Sequence, residues 1–225
     1  MNVAVQSDFA TQRQTMVDCQ IRTFDVTDQD VIGRFEAVAR EVFLPASLRP
    51  LAYSDAALEV RANGALRIML APLVLARMLQ GAAVRASDRV LDVAGGAGYS
   101  AALLAGLARE VIALESLGEL SAAAGSNLSA AGISNAKTVT GSLDGATVSG
   151  HFDLIFINGA VEDNFEPLLG KLSPGGRLSA VRKIAGQTGK VTRFEKIAGE
   201  TSQRVLFDAS VPVLDAFVRH QSFIF

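Results

Sequence analysis

The sequence predicts an α/β protein built on a mainly parallel seven-stranded sheet, preceded by a helical N-terminal extension. Three observations carry this. From Ala86 onward, five short apolar runs alternate with helix-period segments long enough to serve as crossovers. A glycine turn, Gly95-Gly96-Ala97-Gly98, directly follows the first run. Two further strand-like runs close the chain with no helical segment between them. At 225 residues, against roughly 150 per domain, the chain suits one structural unit. Residues 1–80 form the extension and a substrate-side loop, and 81–225 form the α/β domain.

The elements follow in order. From Thr11 to Gln80 the pattern is helical, broken at Pro45, Pro50 and Pro72. Asp28 is placed to cap a helix over Gln29–Arg40 that turns Val31, Phe35 and Val38 inward. The strand runs are Arg89–Ala94, Glu110–Leu114, Ala136–Thr140, Phe152–Asn158 and Gly176–Val181. Helices are expected at Tyr99–Leu107, Leu117–Ala131 and Glu162–Leu172. Pro174-Gly175-Gly176 reads as the turn entering the fifth strand. In the tail, Gln203–Phe207 and Ala216–Phe225 read as an antiparallel closing pair, which brings the strands to seven.

Composition narrows the function. Hydrophobic residues make up 49% and charged residues 20%, which predicts a packed core. A net charge of −2 leaves no global footprint for nucleic acid. The basic stretch Lys183, Lys190, Arg193 and Lys196 reads as a solvated strand edge. Mean hydropathy is high at +0.30, yet no apolar run reaches the ~18 residues of a membrane span. Even Ile68–Leu79, the richest stretch, contains Pro72 and Arg77. The single cysteine, Cys19, excludes an internal disulfide and any all-cysteine metal site. With His151 and His220 the only histidines, no metal is expected. The N-terminus lacks the basic start and apolar core of a secretory signal, so a cytoplasmic protein is expected.

The glycine turn carries the chemistry. Glycine there lets backbone N–H groups and a helix N-terminus approach a ligand closely. Glu115 closes the next strand, where a carboxylate can accept hydrogen bonds from both hydroxyls of a ribose. Turn, strand-end acid and βαβ spacing together indicate a nucleoside cofactor. Gly96-Ala97-Gly98-Tyr99-Ser100-Ala101 satisfies the dinucleotide pattern G-x-G-x-x-A, so NAD competes. Asp92, an acid inside the strand just ahead of the turn, and the antiparallel tail favour S-adenosylmethionine. No Tyr-x-x-x-Lys pair of the short-chain dehydrogenase kind is present.

These residues resemble the protein-L-isoaspartate O-methyltransferases over about Gln14 to Val218. Met16-Val17-Asp18-Cys19-Gln20-Ile21-Arg22 and Val26-Thr27-Asp28 look like that family's N-terminal helix pair. Arg40-Glu41-Val42-Phe43-Leu44-Pro45 is similar to its "PRE-F-P" segment, and Ala52-Tyr53-Ser54-Asp55 to its "AY-D". Val90 to Tyr99 matches "VLEIGTGSGY", and Phe152-Asp153 and Pro174-Gly175-Gly176 match the fourth- and fifth-strand motifs. The resemblance implies a Rossmann-like class I S-adenosylmethionine-dependent methyltransferase, acting on isoaspartyl residues of a protein or peptide. It places the cofactor on Asp92, Ala94, Gly95, Gly96, Gly98, Tyr99, Glu115, Ser142, Leu143 and Asn158.

The departures fall on the substrate side. The family's "GQTIS-QP" becomes Arg67-Ile68-Met69-Leu70-Ala71-Pro72, with Leu70 in place of the serine and Ile68 in place of the threonine that help hold the substrate carboxylate. Ala94 replaces the first motif glycine, and Ser142 the aspartate of "GDG". Arg67, Ile68 and Leu70 are therefore the substrate-loop candidates, with Arg67 able to pair a carboxylate bidentately. Core packing is the competing reading for Ile68, Met69 and Leu70. The resemblance implies weak isoaspartyl methylation that Leu70→Ser would raise. Two alternatives stay open: methylation of another carboxylate or small molecule, and a non-catalytic cofactor- or protein-binding member.

Overall fold

The computed structural model describes residues 3–62, 64–197 and 199–219, with side chains from residue 8 onward. Its centre is a seven-stranded sheet of order β5-β4-β3-β6-β7-β8-β9. The strands are β3 (Arg89–Val93), β4 (Glu110–Glu115), β5 (Ala136–Thr140), β6 (Phe152–Val161), β7 (Leu172–Arg182), β8 (Lys190–Ile197) and β9 (Glu200–Asp208). β3 to β7 pair in parallel, and β8 and β9 run antiparallel. Between them lie α4 (Tyr99–Ala105), α5 (Gly118–Ala130) and α6 (Glu166–Gly170).

Period-two alternation divides the strands between two cores. Val90, Val111, Ala113, Leu154 and Phe156 face the larger one, under α4 and the N-terminal elements. Leu91, Val93, Ile112, Leu114, Ile155 and Ile157 face the smaller one, with Phe165, Leu168 and Phe217. The larger core runs without a break into the extension: α1 (Val3–Met16), a π-helical turn at Val17–Ile21, α2 (Gln29–Ala37) and α3 (Pro72–Ala82). Tyr99 is the joint, its ring buried beside Phe35 and Phe43 with the Arg40 guanidinium 5.0 Å from its centroid.

Asp28 caps α2, its Oδ1 accepting from the N–H groups of Asp30 at 3.0 Å and Val31 at 3.2 Å. The helix stops at Ala37 rather than Arg40, because Val38 is extended and the chain turns to bury Arg40. There Arg40 Nε donates to the Ala52 carbonyl and Nη2 to the Leu70 carbonyl, each at 2.8 Å.

Several expectations are corrected. The stretch assigned to helix and loop contains an antiparallel hairpin, β1 (Leu58–Ala62) and β2 (Ala65–Met69), forming its own two-stranded sheet. The closing pair is β8 with β9, not Gln203–Phe207 with Ala216–Phe225. Residues 215–217 make a 3-10 turn, and 220–225 lie outside the described residues. β8 is thus an interior strand carrying Lys190, Arg193 and Lys196 of the basic stretch, and β9 is the edge. Pro174-Gly175-Gly176 sits inside β7 as an irregularity, with Gly175 at φ 73° and the register shifting between the Phe152 and Leu154 pairings. The helix expected from Glu162 is only α6, with Pro167 in its first turn. The middle strand is β6, with Arg89–Val93 beside it. Among the described residues no helix is long and apolar enough to cross a membrane.

Candidate active site

β3 is flanked by β4, reached through α4, and by β6, which lies on its other side. This is the switch point of a doubly wound sheet, where ligands bind outside the carboxyl ends of the strands. The chain leaves β3 through Ala94 (φ 58°), Gly96 (φ 60°) and Gly98 (φ 98°), three left-handed residues within five positions. Ala94 alone carries a Cβ in that conformation, a cost of about 1–2 kcal/mol. It is fully buried, and its N–H is held by the Leu114 carbonyl at 2.9 Å.

Asp92 braces the turn from behind. Its Oδ2 accepts from Ser100 Oγ at 2.7 Å and its Oδ1 from Asn158 Nδ2 at 2.8 Å. Asn158 also donates to the Val93 carbonyl at 3.0 Å. Gly95 must lack a side chain, because a Cβ there would meet Asp92 Oδ2 and lie 2.6 Å from Ser100 Oγ. Complete burial pushes the Asp92 carboxyl up to about 6, although both hydrogen bonds oppose the shift and the charge of Glu115 adds to it. Ser100 went unnoticed in the sequence, where a serine inside a helical run carries no signal.

Glu115 ends β4 and is 2% exposed. Its Oε2 accepts from the Gly96 N–H at 3.2 Å and its Oε1 from the Leu117 N–H at 3.0 Å. Arg67, on β2, meets it side-on: Nε and Nη2 donate to Oε1 at 3.0 and 2.8 Å, and Nε also to Oε2 at 3.1 Å. Arg67 Nη2 further donates to Ser116 Oγ at 2.7 Å. Arg67 therefore pairs with a carboxylate, as its residue type allowed, but the carboxylate is the chain's own.

The other candidates divide. Gly96 and Gly98 stand at the turn beside Glu115. Ser142 follows β5, joined to this edge through the Gly141 N–H on the Glu115 carbonyl at 3.0 Å. Leu143 packs into the smaller core, and Tyr99 turns away into the joint with the extension. Ile68 and Leu70 both lie in the larger core, Leu70 only 1% exposed. The packing reading of these two prevails over a substrate-facing one. No cluster of three or more His, Cys, Asp or Glu poised for a metal occurs among the described residues.

A sequence model of the protein-L-isoaspartate(D-aspartate) O-methyltransferase family matches residues 11–216. A protein-L-isoaspartate O-methyltransferase of Koribacter versatilis is 33% identical over 195 residues, 82% of this chain and 86% of that one. The chain belongs to this family. A second relative, from Methanoculleus marisnigri, is 34% identical over 170 residues, 75% of this chain and 76% of its own. The fold matches that of a protein-L-isoaspartate O-methyltransferase from Plasmodium falciparum solved with S-adenosyl-L-homocysteine. The TM-score is 0.76 at 20% identity, covering 91% of this chain and 98% of that one. Membership makes this a Rossmann-like, S-adenosylmethionine-dependent methyltransferase by class. The left-handed turn and the strand-end Glu115 fit an adenosyl group.

Two outcomes follow from this geometry. The folded state holds the Asp92 proton more tightly than the unfolded chain, so Asp92 stabilises at low pH and the benefit is lost as pH rises through about 6. Unfolding free energy of the wild type relative to Asp92→Asn should fall by about 2 kcal/mol between pH 4 and 7. A pH-independent difference in denaturant titrations would refute the assignment. Secondly, Glu115→Ala strands a buried guanidinium and should cost about 3–5 kcal/mol. Arg67→Met should cost less, because Glu115 keeps two backbone donors. Equal losses for the two variants would contradict this.

Proposed function

We propose that this protein transfers a methyl group from S-adenosylmethionine to the α-carboxylate of isoaspartyl residues in damaged proteins or peptides, slowly. The observation that carries the reading is the ordered set of Asp92, the left-handed turn Ala94–Gly98 and Glu115 at one carboxyl edge, in a chain matched to the family over residues 11–216. When bound, S-adenosylmethionine supplies an electrophilic methyl on its sulfonium. Glu115 would hold the ribose hydroxyls, beside the left-handed turn at Gly96 and Gly98. Asp92, through Ser100 and Asn158, fixes the turn from inside. Ser142 lies toward the base at the end of β5.

The accepting carboxylate has a reference pKa near ~3.5 and is ionised at neutral pH, so no general base is needed. What the protein supplies is alignment and exclusion of water. Here the substrate side is poor in donors, because Ile68 and Leu70 stand where the family has hydroxyls and both side chains are packed inward. An ionised group desolvated with too few partners binds weakly. A cytoplasmic setting suits a chain whose single cysteine, Cys19, can form no internal disulfide.

Calorimetric titration with S-adenosylhomocysteine and a labelled-methyl assay on an isoaspartyl peptide test the reading together. Binding with slow methylation supports it. Binding without methylation moves the substrate to another carboxylate, and absence of binding removes the methyltransferase assignment. The packing also reverses the expectation that Leu70→Ser raises activity. Serine there opens a core cavity and should lower unfolding free energy by about 2–5 kcal/mol without improving kcat/KM. A gain of tenfold or more on the isoaspartyl peptide would show instead that residue 70 reaches the substrate.

A further inference from the structure

Glu115 has two oxygens, and the cofactor reading needs both for a ribose diol. In this structure Arg67 contacts both, with three hydrogen bonds between 2.8 and 3.1 Å. The arginine stem also lies over the glycine turn: a Cβ built on Gly96 would have the Arg67 Cβ as its nearest neighbour, at 3.9 Å. We infer that Arg67 is an internal competitor for the cofactor, and that the β1–β2 hairpin is a lid which cofactor binding must lift off Glu115. The inference rests on the cofactor reading above and concerns this chain's own residues.

The lid is cheap to move compared with the sheet it covers. β1 and β2 pair only with each other and add no strand to the seven-stranded sheet, and an isolated two-stranded hairpin is marginally stable. It is seated by the buried side chains of Leu58, Ala62 and Ile68, by Val60, Leu66 and Met69 packed against the larger core, and by Arg67 on Glu115 and Ser116. Glu115 is not left bare when the pair opens. Its Gly96 and Leu117 donors remain, and ribose hydroxyls would replace the guanidinium donors one for one. Displacement therefore exchanges one set of charge-assisted bonds for another at Glu115, leaving the loss on Arg67, whose way out is toward solvent with the hairpin.

The first test measures equilibrium binding of S-adenosylhomocysteine to wild type, Arg67→Met and Arg67→Lys. Removing the competitor should tighten binding about ten- to a hundredfold in Arg67→Met. Arg67→Lys, a cation without the bidentate fork, should fall between. The second test uses unmodified protein and limited trypsin digestion. The Arg67–Ile68 bond, buried in the closed lid, should be cut faster when S-adenosylhomocysteine is added, the reverse of ordinary ligand protection. Equal or weaker binding by Arg67→Met, or unchanged or slower cutting at Arg67 with ligand bound, overturns the lid while leaving the cofactor reading intact. Absence of binding by wild type and Arg67→Met alike overturns the cofactor reading, and the lid with it.

Discussion

Four pieces of the molecule meet on the carboxylate of Glu115: the end of β4, the glycine turn through Gly96, the entry to α5 through Leu117, and the hairpin through Arg67. An ionised group buried this deeply persists only when its lone pairs are filled with good geometry. Glu115 satisfies that condition from three directions with backbone and guanidinium donors. The strand-to-turn-to-helix geometry of the nucleotide-binding edge is thereby held in shape by the chain itself. The same completeness makes the site competitive: a ligand that bonds Glu115 must displace a donor already in place. Affinity here is a difference between two well-made sets of bonds rather than the filling of an open cup.

Buried arginines perform a related task elsewhere. Arg177, on β7, donates to the Ala82 and Ala83 carbonyls at 3.1 and 2.7 Å and pairs with Asp88 at 2.6 Å. A guanidinium at the end of α3 satisfies carbonyls that have no helical partner and complements the helix dipole. Arg40 does the same for the Ala52 and Leu70 carbonyls, and burial lowers its pKa from the usual arginine range. Its approach to Tyr99 helps lock the extension onto α4, and burial pushes the Tyr99 hydroxyl up to about 12, which keeps it neutral at any working pH. Each planar fork joins segments that secondary structure alone would leave loosely connected.

The elements that could be read in advance are those whose signal is local and periodic. β3, β4 and β6 are buried on both faces, so their apolar runs stand out against helices of crossover length. The hairpin did not stand out because its strands are only five residues each, LEVRA and ALRIM, with charges at Glu59, Arg61 and Arg67. Two of those charges face solvent and the third, Arg67, is buried by a partner 48 residues away, which no local pattern encodes. β8 was hidden in the same way, since its lysines and arginines suggest an edge until β9 covers it. Tyr99, first in its helix and adjacent to the turn, looked like a cofactor contact, but the aromatic pocket of Phe35 and Phe43 decides its direction. Sequence spacing brought out the candidate edge, and long-range ion pairing and packing decided which side chains point toward it.

The substitutions on the substrate side acquire a consistent meaning from the chemistry. A reaction whose nucleophile is already ionised can lose hydrogen-bond donors to that nucleophile and remain chemically possible, because its barrier depends on alignment rather than on a proton transfer. It cannot lose the group that fixes the cofactor, because without it there is no methyl to align. In this chain positions 68 and 70 hold core-packing aliphatics, whereas Glu115, the residue proposed to fix the cofactor, is fully hydrogen-bonded. Arg67 sits between these two sets, one residue from Ile68 and bonded to Glu115. It ties the aliphatic strip at 68–70 to the carboxylate at the end of β4, so the two sides of the proposed site are coupled through one ion pair.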